Sequence, residues 1–157
     1  EELGKNLAQR GITFDTVYSS PLIRAVQTAQ GIAPDMEIST DERLTEMDYG
    51  PYEGMSLEKP APEVLKFFMD FENNPAPEGM EQLEDVVART GAFVDEIKPL
   101  AADKNILIVT HAIAMKGILE YLTPESKGAY WSKNIQNCEI YTARVEGGEY
   151  MIPVPGI

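Results

Sequence analysis

One histidine, one cysteine and one tryptophan occur in 157 residues. The lone Cys138 excludes a disulfide framework and fits a reducing compartment. Basic side chains are scarce too. Thirteen Lys and Arg stand against 26 Asp and Glu, for a net charge of −13. That balance argues against nucleic acid and anionic membrane surfaces as partners. Any phosphate site must then be built locally, against the overall field. No apolar run approaches the length of a membrane span, and no secretory pattern is visible, so a cytoplasmic location is expected. Low-complexity stretches are also missing: the 12 Gly and 11 Pro are dispersed, and 43% hydrophobic residues suffice for a core. One domain is expected from this length.

What is present alternates between strand and helix. Glu1 to Arg10 reads as the back half of a helix, with Leu3 and Leu7 four apart and Gly11 closing it. No Ser, Thr, Asp or Asn precedes it as a cap, so the element is expected to begin upstream. Phe14 to Tyr18 is a short strand. Ser20 and Pro21 then open a helix as cap and first residue, with Leu22, Val26 and Ala29 as its buried face. A short strand is expected at Glu37 to Ser39, a helix at Pro62 to Phe71, and the longest helix from Met80 to about Leu100. Gly91 lies inside that helix at a cost of about 1 kcal/mol relative to Ala. Thr123 to Asn134 reads as a helix or helical turns. Cys138 to Val145 and Glu149 to Val154 read as strands around Gly147 and Gly148, a hairpin signal. This order predicts an α/β fold with a mostly parallel sheet and an antiparallel edge.

Three segments carry candidate chemistry. His111 follows the apolar run Ile106 to Val109 and Thr110, and precedes the helical pattern from Ala112 to Leu119. The carboxyl end of a strand in an open α/β sheet is where ligands sit, and a helix N-terminus there offers N–H groups to an anion. A buried, satisfied structural histidine is the plain alternative. Arg24 falls in the first turn of a helix, where a cation works against the dipole. It could clamp a phosphate through paired bonds or simply be solvated. Glu46, Asp48 and Glu53 lie in an irregular, glycine-bearing segment. They read as solvated loop acids, or as a general acid held near a leaving group.

Together the segments resemble the histidine phosphatase superfamily, also called phosphoglycerate-mutase-like. SSPLIRAVQTA is similar to its second-arginine motif, and LTEMDYGPYEG to its L-x-E-x-x-x-G-x-x-E-G acid motif. ILIVTHAIA is similar to V-[ST]-H-G-G, and PAPEGMEQLEDVVAR to the P-x-G-E-S loop with its following helix. The resemblance keeps the family's order over nearly the whole chain. It implies a three-layer α/β/α fold with a mostly parallel central sheet and an antiparallel edge. It also implies that Arg24 grips the phosphoryl group, that Glu46 is the proton donor, and that His111 stabilises charge on the phosphoryl oxygens. Tyr49 would contact substrate or serve the core, and Ala112 stands at the ligand where the family has Gly. Met80 and Glu81 stand at the loop where the family has Glu-Ser or a close variant. The implied partner is a small phosphorylated metabolite, without metal or cofactor, without nucleic acid or membrane; a homodimer is compatible with it.

The family's nucleophilic histidine lies in an N-terminal Arg-His-Gly motif after a central first strand, and these residues contain no such motif. Residues 1–157 are therefore expected to be one domain of this family, incomplete at its N-terminus. The leading expectation is a broad-specificity phosphatase working through a phosphohistidine in its full-length form. The alternatives are a phosphoglycerate mutase and an inactive module that binds a phospho-ligand.

Overall fold

The structure is a computed structural model that describes residues 2–56 and 58–157. Three parallel strands form its centre, β1 (Thr16–Ser19), β2 (Ile38–Thr40) and β3 (Ile106–Val109), in the order β2-β1-β3. Val17 pairs with both Ile38 and Leu107. Side chains alternate across the sheet with period two. Val17, Leu107 and Val109 face one side with Ala25 and Ala29 of α2 (Ile23–Ile32). Tyr18, Ile106 and Ile108 face the other, against Phe93, Val94 and Ile97 of α4 and Ile118 of α5. Here α1 spans Glu2–Gln9, α3 Pro62–Met69, α4 Leu83–Ala101 and α5 Ala112–Leu122. Helices thus cover both faces, the expected three-layer arrangement. A third cluster lies beyond the sheet's carboxyl edge. Met47, Phe67, Met80, Ile113 and Trp131 meet there, between the acid loop, α3 and α5. Full burial of Phe67 and Phe93 contributes about 1.5–3 kcal/mol each.

Several boundaries differ from the sequence expectation, each for a physical reason. Glu1, the first residue of the expected first helix, lies outside the described residues. The helix after β1 starts at Ile23, with Leu22 as its cap residue and no side-chain cap bond. Ser20 is still extended, because its N–H donates to Val109 O and continues the ladder. The buried face therefore shifts to Ala25 and Ala29, and Leu22 is exposed. The longest helix begins at Leu83 because the preceding residues are tied to the acid loop: Glu81 N–H donates to Asp48 O at 2.8 Å. Thr123 to Asn134 resolves into two single 3₁₀ turns, Pro124–Ser126 and Ala129–Ser132. The carboxyl-terminal strands shrink to pairs: β4 (Tyr141–Thr142) with β7 (Val154–Pro155), and β5 (Val145–Glu146) with β6 (Glu149–Tyr150). Gly147 and Gly148 supply the positive φ values, 61° and 80°, that the β5–β6 turn requires. Among the described residues neither pair joins β3, so the far edge of β3 has no strand partner.

No helix among the described residues is long and apolar enough to cross a membrane.

Candidate active site

The carboxyl edge of β1 and β3 brings three distant segments together. β1 ends at Ser19, and Ser20 is held by its backbone bond to Val109. β3 ends at Val109, and Thr110 turns the chain, its hydroxyl donating to Leu44 O at 2.6 Å. His111 then has extended backbone as the cap residue of α5. Its Nε2 lies 2.8 Å from the hydroxyl of fully buried Ser20, and the tautomer sets which atom donates. Burial pushes the His111 imidazole below its ordinary value of 6.5; the charge of Glu46 opposes this, and those of Arg24 and Arg89 add to it.

Glu46 reaches across to the same helix. Its Oε2 accepts Ile113 N–H at 3.1 Å, and its Oε1 accepts Ala114 N–H at 2.9 Å and Met47 N–H at 2.9 Å. This alters the expectation of a helix terminus open to an external anion. Two first-turn donors of α5 are already taken by a carboxyl from the protein itself, which the helix dipole favours there. Ala112 is exposed in that turn, and its N–H has no partner among the described residues.

Arg24 occupies the first turn of α2, with no acidic residue in that turn. Its side chain is exposed, and among the described residues its guanidinium has no hydrogen-bond or ion-pair partner. The helix that carries it follows directly on β1, which puts this first turn at the sheet's carboxyl edge; its charge lowers the proton affinity of both His111 and Tyr49. Tyr49 is half-buried against the third cluster, its ring 6.1 Å from that of Phe68 in an edge-to-face pair. Burial, then the charges of Glu46 and Glu53, push its phenol up to about 12. The hydroxyl therefore stays protonated and available as a donor. The arrangement offers one unpaired cation, one imidazole, one carboxyl and one phenol at a strand edge. That is a set suited to holding a phosphoryl group and moving one proton. Among the described residues no group of three His, Cys, Asp or Glu side chains is placed to hold a metal ion.

Sequence reasoning missed three contributors. Ser20 was read as a helix cap; its hydroxyl accepts Leu22 N–H at 3.3 Å and also meets His111. Glu81 and Arg89 carried no assigned role, yet they brace the acid loop: Arg89 Nη1 donates to the carbonyls of Arg43 and Thr45, each at 2.8 Å. A serine at the carboxyl end of a strand was the available signal for the first. For the second pair, only the eight-residue spacing within one motif hinted at contact.

The sequence profile described as the histidine phosphatase superfamily (branch 1) matches residues 1–154. Phosphoserine phosphatase 1 of Hydrogenobacter thermophilus is 26% identical over 138 residues, covering 85% of this chain and 65% of the relative. A 2,3-bisphosphoglycerate-dependent phosphoglycerate mutase of Azorhizobium caulinodans is 32% identical over 139 residues, covering 78% of this chain and 66% of the relative. The chain thus spans just under two thirds of the length of these relatives. Among solved structures, Bacillus stearothermophilus YhfR superposes with a TM-score of 0.80 at 25% identity, over 96% of this chain and 76% of that one. A mutant phosphoserine phosphatase from Entamoeba histolytica in complex with phosphoserine gives 0.78 at 25% identity, over 98% and 76%.

Proposed function

The chain belongs to branch 1 of the histidine phosphatase superfamily, and on that premise we propose that it is a phosphomonoester hydrolase of broad specificity, acting on small phosphorylated metabolites through a phosphohistidine. The observation that carries this reading is the contact of the Glu46 carboxyl with the first turn of α5, directly after His111, at the sheet edge where β1 and β3 end and the helix bearing Arg24 follows. A histidine outside these residues attacks phosphorus and forms an N–P bond as the P–O bond breaks; Arg24 holds the phosphoryl oxygens, His111 donates to one of them, and Glu46 delivers a proton to the leaving oxygen. Water then attacks phosphorus, Glu46 takes up its proton, and the N–P bond breaks. The relatives that bind or act on phosphoserine support a small phosphorylated metabolite as substrate.

The attacking histidine is not among these residues, whose only histidine is His111. We place it on a further strand docked along the free edge of β3. Two observations support that position. β3 is apolar throughout (Ile106, Leu107, Ile108, Val109), as a strand covered on all sides would be, yet only Val109 is buried. Its far edge also leaves ladder groups unpaired. The 157 residues are then most of a single domain that this strand completes.

The longest chain that the gene encodes should release phosphate from simple monoesters in the presence of a chelator and, when quenched during turnover, carry an acid-labile phosphoryl group. Glu46→Gln should lose most on alkyl phosphates and least on an aryl phosphate that leaves unaided. His111→Ala should lose about 2.7–4 kcal/mol of transition-state stabilisation, the usual worth of one charge-stabilising donor. Equal losses for Glu46→Gln on both esters would remove Glu46 from the acid role. Absence of turnover with retained phosphate binding would instead favour a binding module.

The mutase relatives favour a second reading, transfer of the group back to phosphoglycerate. The stretch between the acid loop and α4 is short in sequence, residues 55–82, which argues for water as acceptor. Measuring phosphate release and phosphoglycerate isomerisation on one preparation separates the two.

A further inference from the structure

We propose that the Arg89–Glu81 ion pair is the positioning device of Glu46, an inference that rests on the reading of Glu46 as proton donor. The two side chains are 20% and 14% exposed, and they meet in a bidentate pair, Nε to Oε2 at 2.7 Å and Nη2 to Oε1 at 3.0 Å. Each partner also holds the backbone of the acid loop. On one side, Arg89 Nη1 donates to Arg43 O and to Thr45 O, each at 2.8 Å. On the other, Glu81 Oε1 accepts Asp48 N–H at 3.1 Å, and Glu81 N–H donates to Asp48 O at 2.8 Å.

The loop is therefore pinned at Thr45 and at Asp48, the residues that bracket Glu46 and Met47. Met47, only 2% exposed, plugs the third cluster. Between those pins the Glu46 backbone has little freedom. Its carboxyl is left aimed at the first turn of α5, where Ile113 and Ala114 N–H meet it. α4 thus sets the distance between the acid and the helix that follows His111, although neither Arg89 nor Glu81 is placed among the reacting groups.

The task requires an arginine. Four of its five N–H donors are used: Nε, both hydrogens of Nη1, and one of Nη2. They point in a fixed fork. A lysine would keep the charge and lose the fork. Arg43, a second arginine beside the loop, has its guanidinium spent on Asp41 and Glu96 and cannot substitute.

Amide hydrogen exchange of this chain, followed by NMR, tests the device without reference to turnover. Glu46 is the acceptor of the Ile113 and Ala114 amides, so loss of its position frees both. Arg89→Met should speed exchange at these two amides about tenfold or more, approaching Glu46→Ala, while Phe93 and Leu119 keep their rates. Arg89→Lys should behave like Arg89→Met. Lys98→Met, which breaks an ion pair on the same helix away from the loop, should leave Ile113 and Ala114 unchanged. Unchanged Ile113 and Ala114 rates in Arg89→Met, with faster rates in Glu46→Ala, would overturn the proposal. So would acceleration of all four amides together, which marks a merely structural pair, and so would full rescue by lysine.

A kinetic arm uses the full-length active form. Arg89→Met should lower kcat on an alkyl phosphate about tenfold more than on an activated aryl phosphate, with KM unchanged. A leaving-group dependence present in Glu46→Gln but absent in Arg89→Met overturns the positioning role and leaves the functional reading standing. Absence of that dependence in Glu46→Gln itself overturns the functional reading, and the exchange result then decides the positioning role alone.

Discussion

His111 is half-buried, with one ring nitrogen against the Ser20 hydroxyl, and its burial has a consequence for stability. In the folded chain its proton affinity lies below the ordinary value of 6.5, with desolvation as the main cause. Above about pH 6.5 the ring is neutral in both folded and unfolded states, and its titration contributes nothing. As pH falls through 6.5 the unfolded chain takes up the proton first, so stability drops. The drop ends where the folded ring also protonates. The slope in that window is at most about 1.4 kcal/mol per pH unit for one group. Asp41, held low chiefly by its bond to Arg43, loses its contribution only below 3.8 and so acts in a separate window. Urea unfolding of wild type and His111→Gln between about pH 7.5 and 5 should show wild type losing stability relative to the variant below about 6.5. Parallel curves would place the imidazole in a more watery setting than the one described.

At the scale of elements, two close approaches hold the site's scaffold. α4 and α5 cross where a Cβ on Gly117 would lie 2.8 Å from Val86 Cγ1 and 3.1 Å from Thr90 Oγ1. Both neighbours are fully buried, so neither can yield freely. Alanine is worth about 1 kcal/mol more than glycine within a helix, while overpacking costs about 1–3 kcal/mol. Gly117→Ala should therefore be destabilising by up to about 2 kcal/mol in urea unfolding, against its helix propensity. A gain in stability would mean that the helices part without cost. Gly50 meets a harder limit. Its φ is +54°, and a Cβ there would stand 1.9 Å from Gly79 O. Gly50→Ala must displace backbone in the loop that carries Glu81. It should shift the amide resonances of Asp48 and Glu81 as well as lower the unfolding midpoint; unchanged resonances would show that the loop absorbs the methyl group.

The whole molecule shows a sheet left open on one side. Ile106, Leu107 and Ile108 are only half-buried on a strand whose far edge has no partner among the described residues. An unpaired apolar edge invites pairing with another chain. If a nucleophile-bearing strand docks there, the far-edge amides of β3 should exchange rapidly in the present chain and slowly in a form that includes it, with a higher unfolding midpoint. Equal exchange and equal midpoints would remove the strand from that edge. The net charge of −13 acts at the same scale. It opposes the approach of anions, so in the proposed function the pull on a phosphoryl group falls to Arg24 and to local donors at the sheet edge.

The order of strands and helices, the parallel sheet and the three chemical segments were legible in the chain, because apolar periodicity and turn residues are local properties. The histidine at the end of an apolar run and the arginine in a first helical turn stood out for the same reason: each is unusual for its immediate neighbourhood. Boundaries were less legible. Ser20 has the chemistry of a cap, and its hydroxyl does accept Leu22 N–H at 3.3 Å, but its N–H extends the ladder to Val109 and the same hydroxyl meets the His111 ring, 91 residues away. That Glu46 would occupy the N-terminus of α5, and that Arg89 and Glu81 would brace it, depends on contacts 67 and 44 residues apart in the chain. No local pattern encodes such contacts. They exist because the sheet places the ends of β1 and β3 side by side, and because α4 packs where its one fork-shaped cation reaches the acid loop. Residue types and their spacing determined which groups this protein has for its chemistry; the packing of α4, α5 and the sheet alone decided which of them meet, since hydrogen bonds form by distance in space and not by distance along the chain.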